Sequence, residues 1–271
     1  MVNLQIYCTT IKYYKVMDQL PNFILPLGLG SAKYPDHWFD EKKGINISNL
    51  NKYYGEFTGF YWIWKNQIRN LKKNDLIGNC HNRVLWLNKL YTKKQKFSPD
   101  SLYKNLLSKN NPELLESDVI QVQPITLKDK NLLSSFEQVH KTDALKVCVS
   151  FLAQDLRKGF LEHLNKNMLF PHNMFITKVH FFEEYCSVIF PWLDKCMAYC
   201  NEKNICSGYN MRMPAFLAER FTSYWFNSFK NKTTLSYARL GKFHLSNNSN
   251  KILNTIRLPF TFSQYPTIHK F

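Results

Sequence analysis

The stretch Glu56–Asn66, EFTGFYWIWKN, constrains the fold more tightly than any other part of the chain. Read with its flanks, Leu50, Tyr53 or Tyr54, Phe57, Phe60 or Tyr61, Trp64 and Ile68 recur every three to four residues, the period of an amphipathic helix. Ser48 stands at the N-cap position, so the spacing predicts one long helix from about residue 48 to residue 68. Most of its aromatics form a stripe that needs a covering layer, while Lys52, Glu56, Gly59, Ile63 and Asn66 follow the other side. Gly55 and Gly59 each cost a helix interior about 1 kcal/mol relative to alanine. A pair one turn apart fits close approach by another backbone or by a ligand, with helix packing alone as the plainer reading.

The covering layer is readable as strands. LQIYC at Leu4–Cys8 is a buried first strand, followed by Thr9, Thr10 and Lys12 where an α/β protein places ligand groups. NDLIGNCHNRVLWLN holds a second buried strand that ends in the polar knot Cys80–Arg83. SDVIQVQPITL and NMFIT read as further strands, and a helix begins at about Val179. Tyr91–Glu116, rich in Lys, Ser and Asn, reads as a surface insertion or mobile loop with some helix. The segment from Ser134 to Leu164 has helical spacing over most of its length and sets His140 and Asp143 one turn apart on one face. No repeat or Gly/Ser-rich linker divides the chain. The expected fold class is therefore α/β, a single domain with a central mixed sheet flanked by helices, and 271 residues suffice for it.

Composition limits the function classes. No run of about 18 apolar residues occurs, and the start MVNLQIYCTT lacks the basic-then-apolar order of a signal peptide, so a cytoplasmic chain is expected, peripheral at a membrane. Seven irregularly spaced cysteines form no disulfide framework; Cys196, Cys200 and Cys206 with His180 match no common zinc spacing and read as ordinary buried thiols. The net charge of +16 is uneven: eight Lys/Arg and no acid lie between Arg220 and Phe271. Such a tail seeks phosphate in nucleic acid, an anionic leaflet or a nucleotide. No RNP-like motif, zinc-finger spacing or basic recognition helix supports the first of these, so no nucleic-acid partner is expected.

GINISNLNKYYGEFTGFYWIWKN resembles the signature of the bacterial polysaccharide-biosynthesis family catalogued as domain of unknown function 4422, which reads roughly D-N-I-S-x-K-N and then E-L-T-x-x-Y-W-x-W-K-N. I-G-x-x-H-x-R at Ile77–Arg83, P-H-N-M-F-I at Pro171–Ile176 and A-E-R-F at Ala218–Phe221 follow in the family's order. His140 and Asp143 match its H-x-x-D. The resemblance implies a glycosyltransferase-A-like fold and inverting sugar transfer from a nucleotide-sugar donor, UDP-linked and of galactofuranose type, to a capsule or lipopolysaccharide glycan. It implies a nucleotide-sugar half over 1–135 and an acceptor-side half over 136–271 carrying the basic tail, which would meet an anionic leaflet bearing a lipid-linked acceptor. Two departures fall at donor contacts: His81-Asn82-Arg83-Val84 stands for H-Y-R-R, and Thr10-Ile11-Lys12 for T-H-K. A noncatalytic scaffold of a polysaccharide-assembly complex is the competing reading.

Such a transfer must stabilise a leaving diphosphate and deprotonate an acceptor hydroxyl. Many enzymes of the fold hold Mn²⁺ or Mg²⁺ on a D-x-D, and none occurs here. Arg83, with His81 or tail cations, is the expected substitute, and a metal held by His81 and a distant aspartate is the alternative. The expected nucleotide-sugar residues are Thr9, Thr10, Lys12, Asn46, Glu56, His81, Asn82, Arg83 and Arg220. His172 and Asn173 are expected at acceptor or sugar hydroxyls, and Glu219, Asp143 and His140 as candidate catalytic groups, with Glu56 a further candidate base. Trp62 or Trp64 stacking on a uracil or sugar ring competes with a plain core role.

Overall fold

The computed structural model describes residues 2–91, 96–97, 99–240 and 254–255. Strand β1 (Leu4–Thr10) alternates between two apolar layers: Leu4, Ile6 and Cys8 enter one core, and Tyr7 enters the other. That two-residue period is what a strand covered on both faces requires. Strands β2 (Ile24–Gly28) and β3 (Phe39–Asp40) follow in parallel on one side of β1. Helices α1 (Asn51–Tyr54) and α2 (Phe57–Asn66) then cross to β4 (Leu76–His81), parallel to β1 on its other side. Strand β5 (Val84–Trp86) turns back from β4 through the two residues Asn82 and Arg83.

After β6 (Lys96–Phe97), α3 (Pro99–Asn105) and α4 (Glu113–Glu116), the chain adds β7 (Val119–Val122) and β8 (Ile125–Thr126). Helices α5 (Leu132–His140), α6 (Ala144–Val149) and α7 (Gln154–Leu164) lead to β9 (Met168–Leu169) and β10 (Phe175–Lys178). Helices α8 (Val179–Glu202) and α9 (Met213–Asn227) precede β11 (Lys232–Leu235), β12 (Tyr237–Leu240) and β13 (Asn254–Thr255). The central order is β3-β2-β1-β4-β10-β7-β11, mixed because β10 runs against both of its neighbours. Strands β12, β13 and β6 extend the sheet from β5.

The aromatic stretch is core, as its spacing predicts. Phe60 is fully buried, with its ring edge-on to Phe175 at 5.6 Å, and Trp64 stacks on Phe190 at 5.7 Å. Trp62 is buried and donates its indole N–H to the Lys43 carbonyl, so both tryptophans hold the layer together. Burying a ring of this kind contributes about 1.5–3 kcal/mol.

Four expectations are corrected. The helix over 48–68 is broken at Gly55, whose φ of +55° suits glycine and whose missing Cβ makes room for the Arg212 guanidinium. Ser48 opens a 3-10 turn rather than capping a helix; Asn46 Oδ1 accepts from both its N–H and its hydroxyl. Tyr91–Glu116 contains the helix expected there, as α3 and α4, but it is no surface insertion, since Leu102, Leu106, Leu107 and Leu114 are buried in one of the two cores. His140 and Asp143 do not share a helical face, because Lys141 adopts φ +55° and ends α5. The division at 135/136 falls inside α5, and β10, β11 and β12 join the same sheet as β1 and β4.

Candidate functional site

Strand order places the site before any side chain is considered. Thr9 on β1 lies in register with His81 on β4, at the carboxyl ends of two parallel strands whose connections leave in opposite directions. Crevices of this kind take ligands in open α/β sheets. Because β10 is antiparallel to β4, its amino end, Pro171–Met174, arrives at the same edge. Strand β12 is antiparallel to β5 and sets Arg239 opposite Val84, beside that edge too.

The centre of the site is the turn His172-Asn173, both in the left-handed region at φ 71° and 51°. Two consecutive non-glycine residues there cost roughly 1–2 kcal/mol each and need outside support. Buried Asn79 supplies some of it: its amide donates to the Asn173 carbonyl at 2.8 Å and its oxygen accepts from Phe175 N–H at 3.1 Å. Two carboxylates supply the rest. Glu219 Oε1 accepts from His172 N–H at 3.0 Å, and Glu56 Oε1 accepts from the Asn173 amide at 2.7 Å. Each acid also holds a guanidinium on its second oxygen, Arg220 on Glu219 at 2.8 Å and Arg212 on Glu56 at 3.1 Å. The turn is thus clasped between two acid–arginine pairs.

Burial alone would raise the Glu56 carboxyl, but the charge of His81, Arg212 and the Asn173 amide together outweigh it and hold the group below its ordinary range. His81 Nε2 donates to the His172 carbonyl at 2.6 Å, and its Nδ1 meets Thr9 Oγ1 at 3.1 Å. The His172 ring is pushed down to about 3, first by burial and then by the nearby charges of Arg239 and His81. It is therefore neutral, and its Nε2 accepts from Arg239 at 3.0 Å.

The edge gathers Thr9, Glu56, His81, His172, Asn173, Glu219 and Arg220. Asn82 and Arg83 form the β4–β5 turn beside it; Asn82 N–H donates to Thr9 O, and Arg83 is exposed with no salt-bridge partner among the described residues. Thr10 and Lys12 continue β1, where the Thr10 hydroxyl closes a tight turn onto the Lys12 backbone and the Lys12 side chain is exposed. Asn46 is occupied within its own loop by Ser48, Lys42 and Gly44. Asp143 sits at the start of α6, and its charge acts on Cys148 and Tyr199 rather than on the turn. His140 is buried against Phe136, bonded to Asn210 and lowered to about 4 by that burial, so it is a neutral core group.

Arg220, expected at the donor or in a basic tail, lies on α9 and is 9% exposed, with its guanidinium over the Phe136 ring. Of the other tail cations, Arg239 reaches the site, while Lys242, Lys251, Arg257 and Lys270 lie outside the described residues. Sequence reasoning missed Arg239, Arg212 and Asn79, and also the ring pair Tyr34–Trp38, stacked at 5.9 Å beyond the ends of β1 and β2. Tyr34 donates to the carbonyls of Thr10 and Leu29, which fixes it over Gly28. Arg239 carried a faint signal as a cation in an acid-free tail. The others carried none.

A divalent metal does not suit the donor set. His81 uses both ring nitrogens within the protein, both acids are tied to guanidinium groups, and Asn82 and Arg83 follow where hard cations need carboxylates. Among the described residues no group of three or more His, Cys, Asp or Glu is arranged to hold an ion. His180 faces the Lys73 carbonyl, away from the thiols of Cys196, Cys200 and Cys206.

The fold is of the glycosyltransferase-A-like α/β type, a central mixed sheet flanked by helices. The chain belongs to the family described as Domain of unknown function (DUF4422), which matches residues 5–232. Among solved structures it is similar to the apo structure of WbbM, a bifunctional glycosyltransferase, with a TM-score of 0.69 and 19% identity. That likeness covers 87% of this chain and 45% of the other, so the chain spans less than half of WbbM's length. Curated proteins give no match.

Proposed function

We propose that the protein is a glycosyltransferase that moves a sugar from a UDP-linked donor, of galactofuranose type, to a growing capsule or lipopolysaccharide glycan with inversion. The observation that carries the reading is the strained His172-Asn173 turn, clasped by two acid–arginine pairs at the switch point of a glycosyltransferase-A-like sheet. Strain held this expensively belongs at sites where geometry matters.

Thr9, Thr10, Lys12 and the Tyr34–Trp38 rings flank the nucleotide. Arg83 and Arg239 neutralise the diphosphate as it leaves, in place of a metal. Arg239 stands across the ladder from Val84, the position at which the resembling H-Y-R-R motif has its second arginine, and so supplies a guanidinium there from another strand. Glu219 is the base: its side chain is 23% exposed, and each oxygen, with one donor, keeps a lone pair for an acceptor hydroxyl. Glu56, held ionised and pinned at both oxygens, orients sugar hydroxyls with Asn173. The cations of the tail bring the enzyme to the anionic inner leaflet of the cytoplasmic membrane.

The test is turnover. Purified protein is given radiolabelled UDP-galactose, UDP-galactofuranose and UDP-glucose with lipid-linked oligosaccharide extracts, with Mn²⁺ and with EDTA. Label entering the lipid fraction at equal rates in EDTA supports the reading. No transfer and no UDP release from any donor would leave a scaffold as the better account.

A further inference from the structure

We infer that residues 208–212 form the subsite for a saccharide ring of the acceptor, with Tyr209 as its platform and Arg212 as its polar edge. The inference rests on the transferase reading and adds where the second substrate sits. In the short 3-10 turn Gly208–Arg212 every residue is exposed except Asn210, which is half-buried. Tyr209 and Met211 are 61% and 40% exposed, although large apolar groups gain by burial. Between them Asn210 is locked to His140 by two bonds, Oδ1 to the ring Nδ1 at 2.9 Å and Nδ2 to the carbonyl at 2.8 Å. Arg212 is tied to Glu56 at 3.1 Å and fills the space left by the absent side chain of Gly55.

The exposed tyrosine is therefore held, not loose. Its ring stacks near-parallel with His140 at 5.6 Å and with Phe216 at 5.4 Å. Asn210 is spent on fixing that arrangement and Arg212 on reaching the site. A rigid, half-stacked tyrosine beside a guanidinium suits a pyranose or furanose ring, whose C–H face covers the aromatic ring while its hydroxyls take N–H donors. Position selects the occupant: Arg212 joins the platform to Glu56, and Glu56 joins it to Asn173 and the clasped turn. An acceptor ring on Tyr209 thus lies one guanidinium away from Glu56, on the side of the clasped turn that Asn173 faces.

The test uses saturation-transfer NMR of the full chain with methyl β-galactopyranoside, methyl β-glucopyranoside and methyl α-mannopyranoside, beside calorimetric titration of UDP. The variants are Tyr209→Ala and Tyr209→Trp, each checked by urea unfolding for a native fold. The inference expects ring-proton saturation from at least one glycoside, at least tenfold weaker binding in Tyr209→Ala, binding kept in Tyr209→Trp, and UDP affinity equal in all three proteins. Glycoside binding indifferent to Tyr209, or absent while UDP still binds, overturns the subsite and leaves the donor reading standing. Loss of UDP binding in the unaltered protein overturns the donor reading instead. A concentration-dependent dimer abolished by Tyr209→Ala would assign the patch to a second copy and also overturn the subsite.

Discussion

Glu56 and Glu219 occupy matching places on either side of the His172-Asn173 turn, each accepting one bond from it and one from an arginine. The matched diagrams hide unlike physics. The partner of Glu56 comes from 156 residues away and is half-exposed, so water competes for the pair. The partner of Glu219 is its sequence neighbour, 9% exposed and laid over an aromatic ring. The first pair is a tether between distant segments, and the second is a buried charge that depends on its acid. We therefore propose chemistry for the Glu219 side and orientation for the Glu56 side.

The largest expected break in the comparison is catalytic. Glu219→Gln should lower kcat for transfer by about 10²–10⁴ at unchanged nucleotide affinity, the range for a lost general base. Glu56→Gln should cost clearly less in kcat; equal losses in initial-rate assays would dissolve the division of labour. Stability should separate the two corners in the same sense. Glu219→Ala leaves Arg220 buried and unpaired, and urea unfolding should show a loss of about 3–5 kcal/mol. Glu56→Ala releases Arg212 to water and orphans one amide, at about 1–3 kcal/mol.

Acid sharpens the contrast further, because three neutral histidines flank the Glu219 corner. Burial lowers His140 and His163 to about 4 and His172 to about 3. The backbone N–H of His172 donates to Glu219, and the His163 ring bonds Ser223 one turn along α9. The unfolded chain takes up protons near pH 6.5 that the folded protein refuses. Stability is thus full above that value and falls as pH drops toward 4, by about 1.4 kcal/mol per pH unit for each histidine. Chemical denaturation across pH 7 to 4 should show that slope, and His163→Gln should remove one proton from it. The smallest effect belongs to the tether: Arg212→Ala should change stability by about 0.2–1 kcal/mol, less in 0.5 M NaCl. A loss near that of Glu219→Ala would erase the contrast.

What was legible in the sequence was periodic. The two-residue alternation of Leu4–Cys8 and the three-to-four spacing of the aromatics before Ile68 gave a strand, a helical layer and the α/β class. The break at Gly55 was not legible, because its reason is Arg212, 157 residues on. The burial of the α3–α4 region, though not its helix, escapes the sequence because lysines and asparagines dilute the spacing of Leu102, Leu106 and Leu114. In the site, motif segments pointed to His81, His172, Asn173 and Glu219, which do converge. Arg239, Arg212 and Asn79 needed the reversed direction of β10, the register of β12 and the packing of the 208–212 turn. Such pairings leave no local pattern in a chain.

The central claim is that a nucleotide binds at the ends of β1 and β4 with arginines in the place of a metal. Calorimetric titration with UDP, CMP, GDP and dTDP, each in Mn²⁺ and in EDTA, tests it on the unaltered protein, Arg83→Ala and Arg239→Ala. The account predicts that UDP binds equally well in EDTA and loses at least tenfold in affinity in each variant. Binding that requires Mn²⁺, or that is indifferent to both arginines, would contradict it.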